Sequence, residues 1–128
     1  MIVKEVIRKT LLHKNQCSII HISSISAHTG YKGLSMYAST KGALEAFSKN
    51  TAREWGKHKI RSNTIVCGFM ETNMSAALSN EQKERIYNRT ALKKATNPQC
   101  VSNMIQLLLS EDSLSITGQD IFIDSGTI

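Results

Sequence analysis

Apolar residues recur at helical spacing at the start of the chain, where Ile2, Val3, Val6, Ile7 and Leu11 alternate with Lys4, Glu5, Arg8 and Lys9. Met1 to His13 is therefore expected to form an amphipathic helix. The period then changes. Ile19, Ile20 and Ile22 crowd the short run Ser18 to Ser23, which reads as a buried strand. After a loop between Gly30 and Gly33, Ser35 is placed to cap a long helix reaching about Lys57, since no Pro interrupts it and Ala, Leu, Glu and Lys dominate. On it Ala38, Gly42 and Ala46 recur every four residues beside Ser39 and Ala43, a smooth stripe expected to pack against the sheet or a second subunit.

Arg61 to Val66 reads as a second strand and Cys67 to Ser75 as a loop. Ser79 with Gln82 makes a capping-box pattern that opens a short polar helix to about Arg89. Asn97 as cap and Pro98 at the first helical position start the last helix, whose Val101, Met104, Ile105, Leu108 and Leu109 have core spacing. Thr117 and Gly118 turn the chain into a short strand, Asp120 to Ile123. Strands separated by helices, with no internal repeat or linker, imply one α/β unit with a parallel sheet covered on both faces.

Composition narrows the function classes. The 128 residues are 41% hydrophobic and 20% charged, a globular balance, and no apolar run is long enough to span a membrane. A formal charge of +6 favours an acidic partner. The basic residues are scattered, however, and three Phe, three Tyr and one Trp are too few to stack bases, so nucleic-acid binding is not expected. Cys17, Cys67 and Cys100 are odd in number and lack metal-ligand spacing, which suits a reduced cytoplasmic location.

The candidate chemistry lies at Tyr37-Ala-Ser-Thr-Lys41, a phenol and an ammonium one helical turn apart and hence on one face. A free phenol titrates near pH 10, and a cation about 5 Å away contributes on the order of 3 kcal/mol to its ionisation at an effective dielectric of about 20. Tyr37 is therefore expected to act as an acid or base. On spacing alone such a pair is a common surface neighbour. Ser24 changes its weight, because it closes the first strand at the carboxyl end, where α/β ligand sites gather, and its hydroxyl could hold a carbonyl oxygen. Ser23 and Ser26 are expected instead to satisfy loop backbone groups.

At these residues the chain resembles the short-chain dehydrogenase/reductase family, with the closest likeness to the 3-oxoacyl-[acyl-carrier-protein] reductases. The likeness is carried by Ile22 to Ser24, Tyr37 to Lys41, Ile60 to Asn63, Gly68 to Met74, and Ile116 to Asp124 with Gly126. It implies the carboxyl-terminal half of a Rossmann-like doubly wound parallel sheet, with three strands contiguous in the sheet and helices on both faces. By position it implies that Ser24 orients the substrate carbonyl, Tyr37 donates the proton, and Lys41 holds the nicotinamide ribose. Gly68, Met70 and Thr72 would lie in the segment closing over the nicotinamide, through the Met70 backbone and the Thr72 hydroxyl; for Thr72 a turn cap is the plainer role.

The resemblance implies NADP or NAD as cofactor and reduction of a carbonyl, such as a 3-oxoacyl thioester, to a secondary alcohol. Its partners would be a small or acyl-carrier-bound substrate and further copies in a dimer or tetramer, with the first and long helices at the interface. Lys14, Lys57 and Lys59 would be near the mouth, available to an acidic carrier. Departures are Cys67 where Pro is usual, expected to loosen the following loop, and Ser125 where Gly is common. No G-x-x-x-G-x-G turn occurs among the seven glycines, and the family's catalytic Asn is expected just upstream of Met1. These 128 residues alone are thus expected to be inactive, with an unpaired edge on the first strand. The alternative is a non-catalytic module that joins relatives through its helices.

Overall fold

The computed structural model of the chain describes residues 2–128, apart from the Met74 side chain. Met1, the expected start of the first helix, lies outside them. The order is α1 (Ile2–His13), β1 (Cys17–Ser24), α2 (Ser26–Thr29), α3 (Ser35–Trp55), β2 (Ile60–Cys67), α4 (Asn80–Tyr87), α5 (Pro98–Leu109) and β3 (Asp120–Ile123), with short 3-10 turns at Gly56–His58, Asn73–Ser75 and Glu111–Ser113. The three strands form one sheet in the order β1-β2-β3, and both pairings are parallel. Among the described residues β1 pairs with β2 alone, so its other edge is free.

Local chemistry explains most boundaries. Ser79 and Gln82 close a reciprocal capping box, with Gln82 N–H donating to Ser79 Oγ (3.2 Å) and Ser79 N–H to Gln82 Oε1 (2.9 Å). Asn97 Oδ1 accepts from Gln99 N–H at 2.9 Å, and Pro98 follows at the first helical position. The start of α3 differs from expectation. Leu34, not Ser35, stands at the cap, without a side-chain bond, and its carbonyl takes the first helical bond from Ala38 N–H at 2.7 Å. Ser35 is already helical. At the other end Trp55 closes α3, and Lys59 in the left-handed region (φ 61°) turns the chain into β2.

Two different layers cover the sheet. On one face Ile65, Cys67, Val101 and Leu108 are buried together, joined by Ile20, Met70, Met104, Ile105, Ile116, Ile121 and Ile123. Each large side chain withdrawn in this way contributes about 2 kcal/mol. Leu109, expected in that core, is 59% exposed. At 3.6 residues per turn it lies about 80° around the helix from Val101, whereas Leu108 lies only about 20° away.

The opposite face sets the buried Ile60 and Val66 of β2 among small polar residues, with Ser48 Oγ 2.9 Å from Ser62 Oγ between α3 and β2. The side chains that α3 buries are Glu45, Ser48, Thr51 and Ala52. The stripe of small residues therefore does not pack against the sheet. Ser39, Ala43 and Ala46 are exposed, and a Cβ added at Gly42 would meet nothing within 4 Å. Both lines have helical spacing, and β1 and β2 select the one whose hydroxyls and carboxylate find partners there.

Two of the sequence motifs serve the scaffold. Asn63 is fully buried; its Nδ2 donates to Ile116 O (2.9 Å) and its Oδ1 accepts from Gln119 N–H (3.1 Å), fixing the turn before β3. Asp124 receives the backbone N–H groups of Gly126, Thr127 and Ile128 at 2.9, 3.0 and 2.9 Å. Ser125 between them has φ 58°, which explains why Gly suits that position. Cys67 ends β2 rather than beginning a loop. It is 4% exposed, and its carbonyl accepts from Ile25 N–H at 3.0 Å, so the chain is held at the point where loosening is expected.

Candidate active site

Because the strands are parallel, their carboxyl ends share one edge of the sheet, and Ser24 lies there in register with Cys67. Ser24 Oγ accepts from Ser26 Oγ (2.8 Å) and from Ser26 N–H (3.3 Å). A hydroxyl has one proton and two lone pairs, so both acceptor sites are taken and the proton stays free to donate. Ser26 thus serves Ser24 rather than the loop backbone.

Tyr37 lies in the first turn of α3 and is 42% exposed. Lys41 follows one turn later, with Nζ 5.5 Å from the centroid of the Tyr37 ring. The same Nζ donates to the Ile22 carbonyl at 2.8 Å. Ile22 and Ser24 are two residues apart on a strand and face the same side, so this bond fastens the Tyr37–Lys41 turn to the strand end that carries Ser24. The expected constellation is brought together in this sense: Tyr37 and Lys41 touch, and Lys41 is tied two residues from Ser24.

Gly68 follows directly on β2, and its N–H donates to Ile123 O at 2.9 Å. Its lack of a side chain is required by space. A Cβ there would sit 2.5 Å from the Asp124 Cα and 2.5 Å from Thr96 Oγ1. Met70 turns its side chain into the core, and its carbonyl accepts from Ser75 Oγ at 3.2 Å. Thr72 stands at the cap position of the Asn73–Ser75 turn, and its backbone N–H donates to Ser75 Oγ at 2.9 Å. Among the described residues no hydrogen bond joins Met70 or Thr72 to Ser24, Tyr37 or Lys41. The segment is instead braced to α4: Tyr87 donates to Glu71, Lys83 Nζ lies 3.8 Å from that carboxylate, and the Tyr87 phenol is pushed up to about 12, chiefly by the Glu71 hydrogen bond.

Cys67 is no rival nucleophile. Burial pushes its thiol above the ordinary 9.0, against a smaller opposing pull from the Lys41 charge. The three lysines expected near the mouth lie at the far side: Lys14 precedes β1, and Lys57 and Lys59 precede β2. At roughly 3.3 Å per residue, an eight-residue strand sets them roughly 23 Å from the Ser24 end. Each precedes its strand in the sequence, which puts it at the amino-terminal edge of the sheet, opposite Ser24.

Sequence reasoning missed one neighbour. Glu45, 6% exposed, accepts from Ser23 Oγ at 2.5 Å and pairs with His28 Nε2 at 3.0 Å. The signal was available, since Tyr37, Lys41 and Glu45 recur every four residues, and Ser23 is engaged by this carboxylate rather than by loop backbone.

A family model described as enoyl-(acyl carrier protein) reductase matches residues 1–127. The chain belongs to the short-chain dehydrogenase/reductase family. It is 32% identical over 127 residues to carbonyl reductase [NADPH] 2 of Sus scrofa, covering 97% of this chain and 52% of that protein. It is 35% identical over 108 residues to the 3-oxoacyl-[acyl-carrier-protein] reductase of Aquifex aeolicus, covering 84% and 44%. A solved 4-hydroxyisoleucine dehydrogenase complexed with NADH superposes with a TM-score of 0.95 at 27% identity, covering 98% of this chain and 53% of that one. A gluconate 5-dehydrogenase from Burkholderia cenocepacia in complex with NADP and tartrate gives 0.91 at 25%, covering 97% and 49%. The chain thus spans about half the length of the relatives it matches. Its fold is the carboxyl-terminal half of a Rossmann-like sheet, and no described helix is long and apolar enough to cross a membrane.

Proposed function

We propose that this short-chain oxidoreductase chain carries the proton-transfer half of an NAD(P)H-dependent carbonyl reductase. The observation that carries this reading is the Lys41 Nζ, fixed on Ile22 O at 2.8 Å and 5.5 Å from the Tyr37 ring, beside the strand end that holds Ser24. Ser24 donates its free proton to the substrate oxygen and sets the carbonyl's direction. Tyr37 Oη gives its proton to that oxygen as charge develops there, and the Lys41 ammonium offsets the charge left on the phenol. With Tyr37 partly exposed, solvent restores the proton.

The donor set fits the nicotinamide end of the cofactor. An ammonium has three N–H bonds, one of them on Ile22 O, which leaves two for the neighbouring hydroxyls of a ribose. When bound, NADPH or NADH supplies the hydride that reduces the carbonyl carbon. The pyrophosphate end finds no glycine-rich turn among these 128 residues, so we propose slow or absent turnover by this polypeptide alone. The substrate proposed is a ketone or 3-oxoacyl thioester, a choice supported by the 3-oxoacyl-[acyl-carrier-protein] reductases among the relatives.

The test is ketone-dependent oxidation of NADPH and NADH by the chain alone and by the chain fused behind the amino-terminal half of the Aquifex relative. The fusion is expected to turn over, and Tyr37→Phe in it to lose about a thousandfold in rate while keeping its fold. A Tyr37→Phe fusion that retains its rate overturns the assignment. Tight NADPH binding by the chain alone in calorimetry overturns the claim of inactivity.

A narrower reading, an interaction module, draws on the free edge of β1 and the outward stripe of small residues on α3. Both surfaces favour association of the chain with further copies. A monodisperse monomer in sedimentation, with a sharp cooperative melt, would contradict it.

A further inference from the structure

Glu45 is a carboxylate drawn inside, and a buried carboxylate costs several kcal/mol unless its oxygens are satisfied. Here both are. Oε1 accepts from Ser23 Oγ at 2.5 Å, and His28 Nε2 lies 3.0 Å from Oε2 and 3.2 Å from Oε1. The Ser23 hydroxyl also lies 3.3 Å from the Lys41 carbonyl, but its single proton goes to the nearer carboxylate. Ser23 immediately precedes Ser24, and His28 stands just beyond it on α2. Glu45 itself is on α3, in line with Tyr37 and Lys41. One carboxylate thus grips the chain on both sides of Ser24 and holds it to the helix that bears the phenol and the ammonium.

We infer that Glu45 is a positioning residue, whose bonds to Ser23 and His28 fix the Ser24 hydroxyl relative to the Tyr37 phenol. This rests on the carbonyl-reductase reading for its functional meaning, whereas the brace itself rests on the geometry alone. The Lys41–Ile22 bond fastens α3 to β1 upstream of Ser24. Without the carboxylate, the hydrogen bonds that hold the chain from Ser24 through α2 among the described residues are the Ser24–Ser26 pair, those of the short helix itself and the Ile25–Cys67 bond. The edge of the His28 ring also rests against Phe122, with centroids 5.0 Å apart, which gives the imidazole a second support on β3.

Two measurements test this, amide exchange on the chain itself and turnover in the fusion. In amide exchange followed by mass spectrometry, Glu45→Ala should speed exchange across residues 24–29 about tenfold and leave β2 unchanged. Glu45→Gln should stay within about twofold of the wild type, because its amide can accept from Ser23 and donate to a neutral His28. Ser23→Ala, which leaves the carboxylate paired with His28, should give an intermediate increase and keeps the test open if Glu45→Ala does not fold. In the reductase assay of the fusion, Glu45→Ala should lower kcat with KM for the nicotinamide unchanged, and Glu45→Gln should restore it.

Exchange across 24–29 that is unchanged in both Glu45→Ala and Ser23→Ala overturns the brace. Faster exchange with unchanged kcat overturns its role at the site. Absence of turnover in the unsubstituted fusion counts against the reductase reading, and the exchange comparison then decides the brace by itself.

Discussion

Lys41 Nζ reaches back 19 residues to donate to the carbonyl of Ile22 at 2.8 Å, so the ammonium that faces the Tyr37 ring is also a structural tie between α3 and β1. A cation with a fixed partner on one side and a phenol on the other is oriented before any ligand arrives, which saves the cost of ordering a long flexible side chain during reaction. The same bond satisfies a carbonyl of β1, an edge strand of the sheet.

Lys41→Met separates these two roles. Loss of one hydrogen bond to a partly exposed carbonyl costs about 1 kcal/mol, whereas loss of the charge beside the phenol is expected to lower reductase turnover of the fusion about a hundredfold. Urea denaturation measures the first and nicotinamide absorbance the second. Full activity in Lys41→Met would remove the ammonium from the mechanism.

Gly68→Ala tests the packing beneath the loop that follows β2. The added methyl would meet the Asp124 Cα and Thr96 Oγ1, each at 2.5 Å, and the first of these is backbone that cannot rotate away. Overpacking of this kind costs about 3 kcal/mol. A clear fall in melting temperature is expected, and an unchanged one would show that the loop is free to move off Asp124.

Ser125→Gly should act in the opposite direction. Ser125 has φ 58°, a conformation that costs a residue with a Cβ about 1 kcal/mol or more, while its hydroxyl makes no hydrogen bond among the described contacts. Part of the gain is offset by the greater freedom of Gly in the unfolded chain. A stabilisation of about 0.5 kcal/mol in urea denaturation is expected.

His21 should make stability depend on pH. Its ring lies edge-on to Phe47, with centroids 5.7 Å apart, its buried Nε2 has no hydrogen-bond partner among the described residues, and burial pushes its imidazole below the ordinary 6.5. The unfolded chain therefore binds the proton more tightly than the folded one. The contribution is whole above 6.5 and is lost as pH falls through the lower folded value. Melting temperature should decline between about pH 7 and about pH 5, and His21→Phe should flatten that decline. Parallel profiles for the two proteins would exclude His21 as the source.

Most of the scaffold was legible along the chain because its cues are local. The capping box at Ser79 and Gln82, the Asn97-Pro98 start of α5 and the Ile-rich run of β1 each act within a few residues, and each boundary fell within about two positions of its expected place. What failed was facing. The outward turn of Ala43 and Ala46 and the exposure of Leu109 depend on which side of an element meets the sheet. For α3 two lines of residues satisfied the same period, and the sequence held too little apolar contrast to choose between them.

The order of elements, their parallel arrangement and the grouping of Ser24, Tyr37 and Lys41 at one end of the sheet follow from spacing and resemblance, because covalent order and backbone period are properties of the chain itself. The tie from Lys41 to Ile22, the burial of Glu45 between Ser23 and His28, and the lack of room at Gly68 are decided only when distant segments meet. Those contacts join residues far apart in the sequence, and their geometry is set by the packing of α3 and β3 against β1 and β2, which no local pattern encodes.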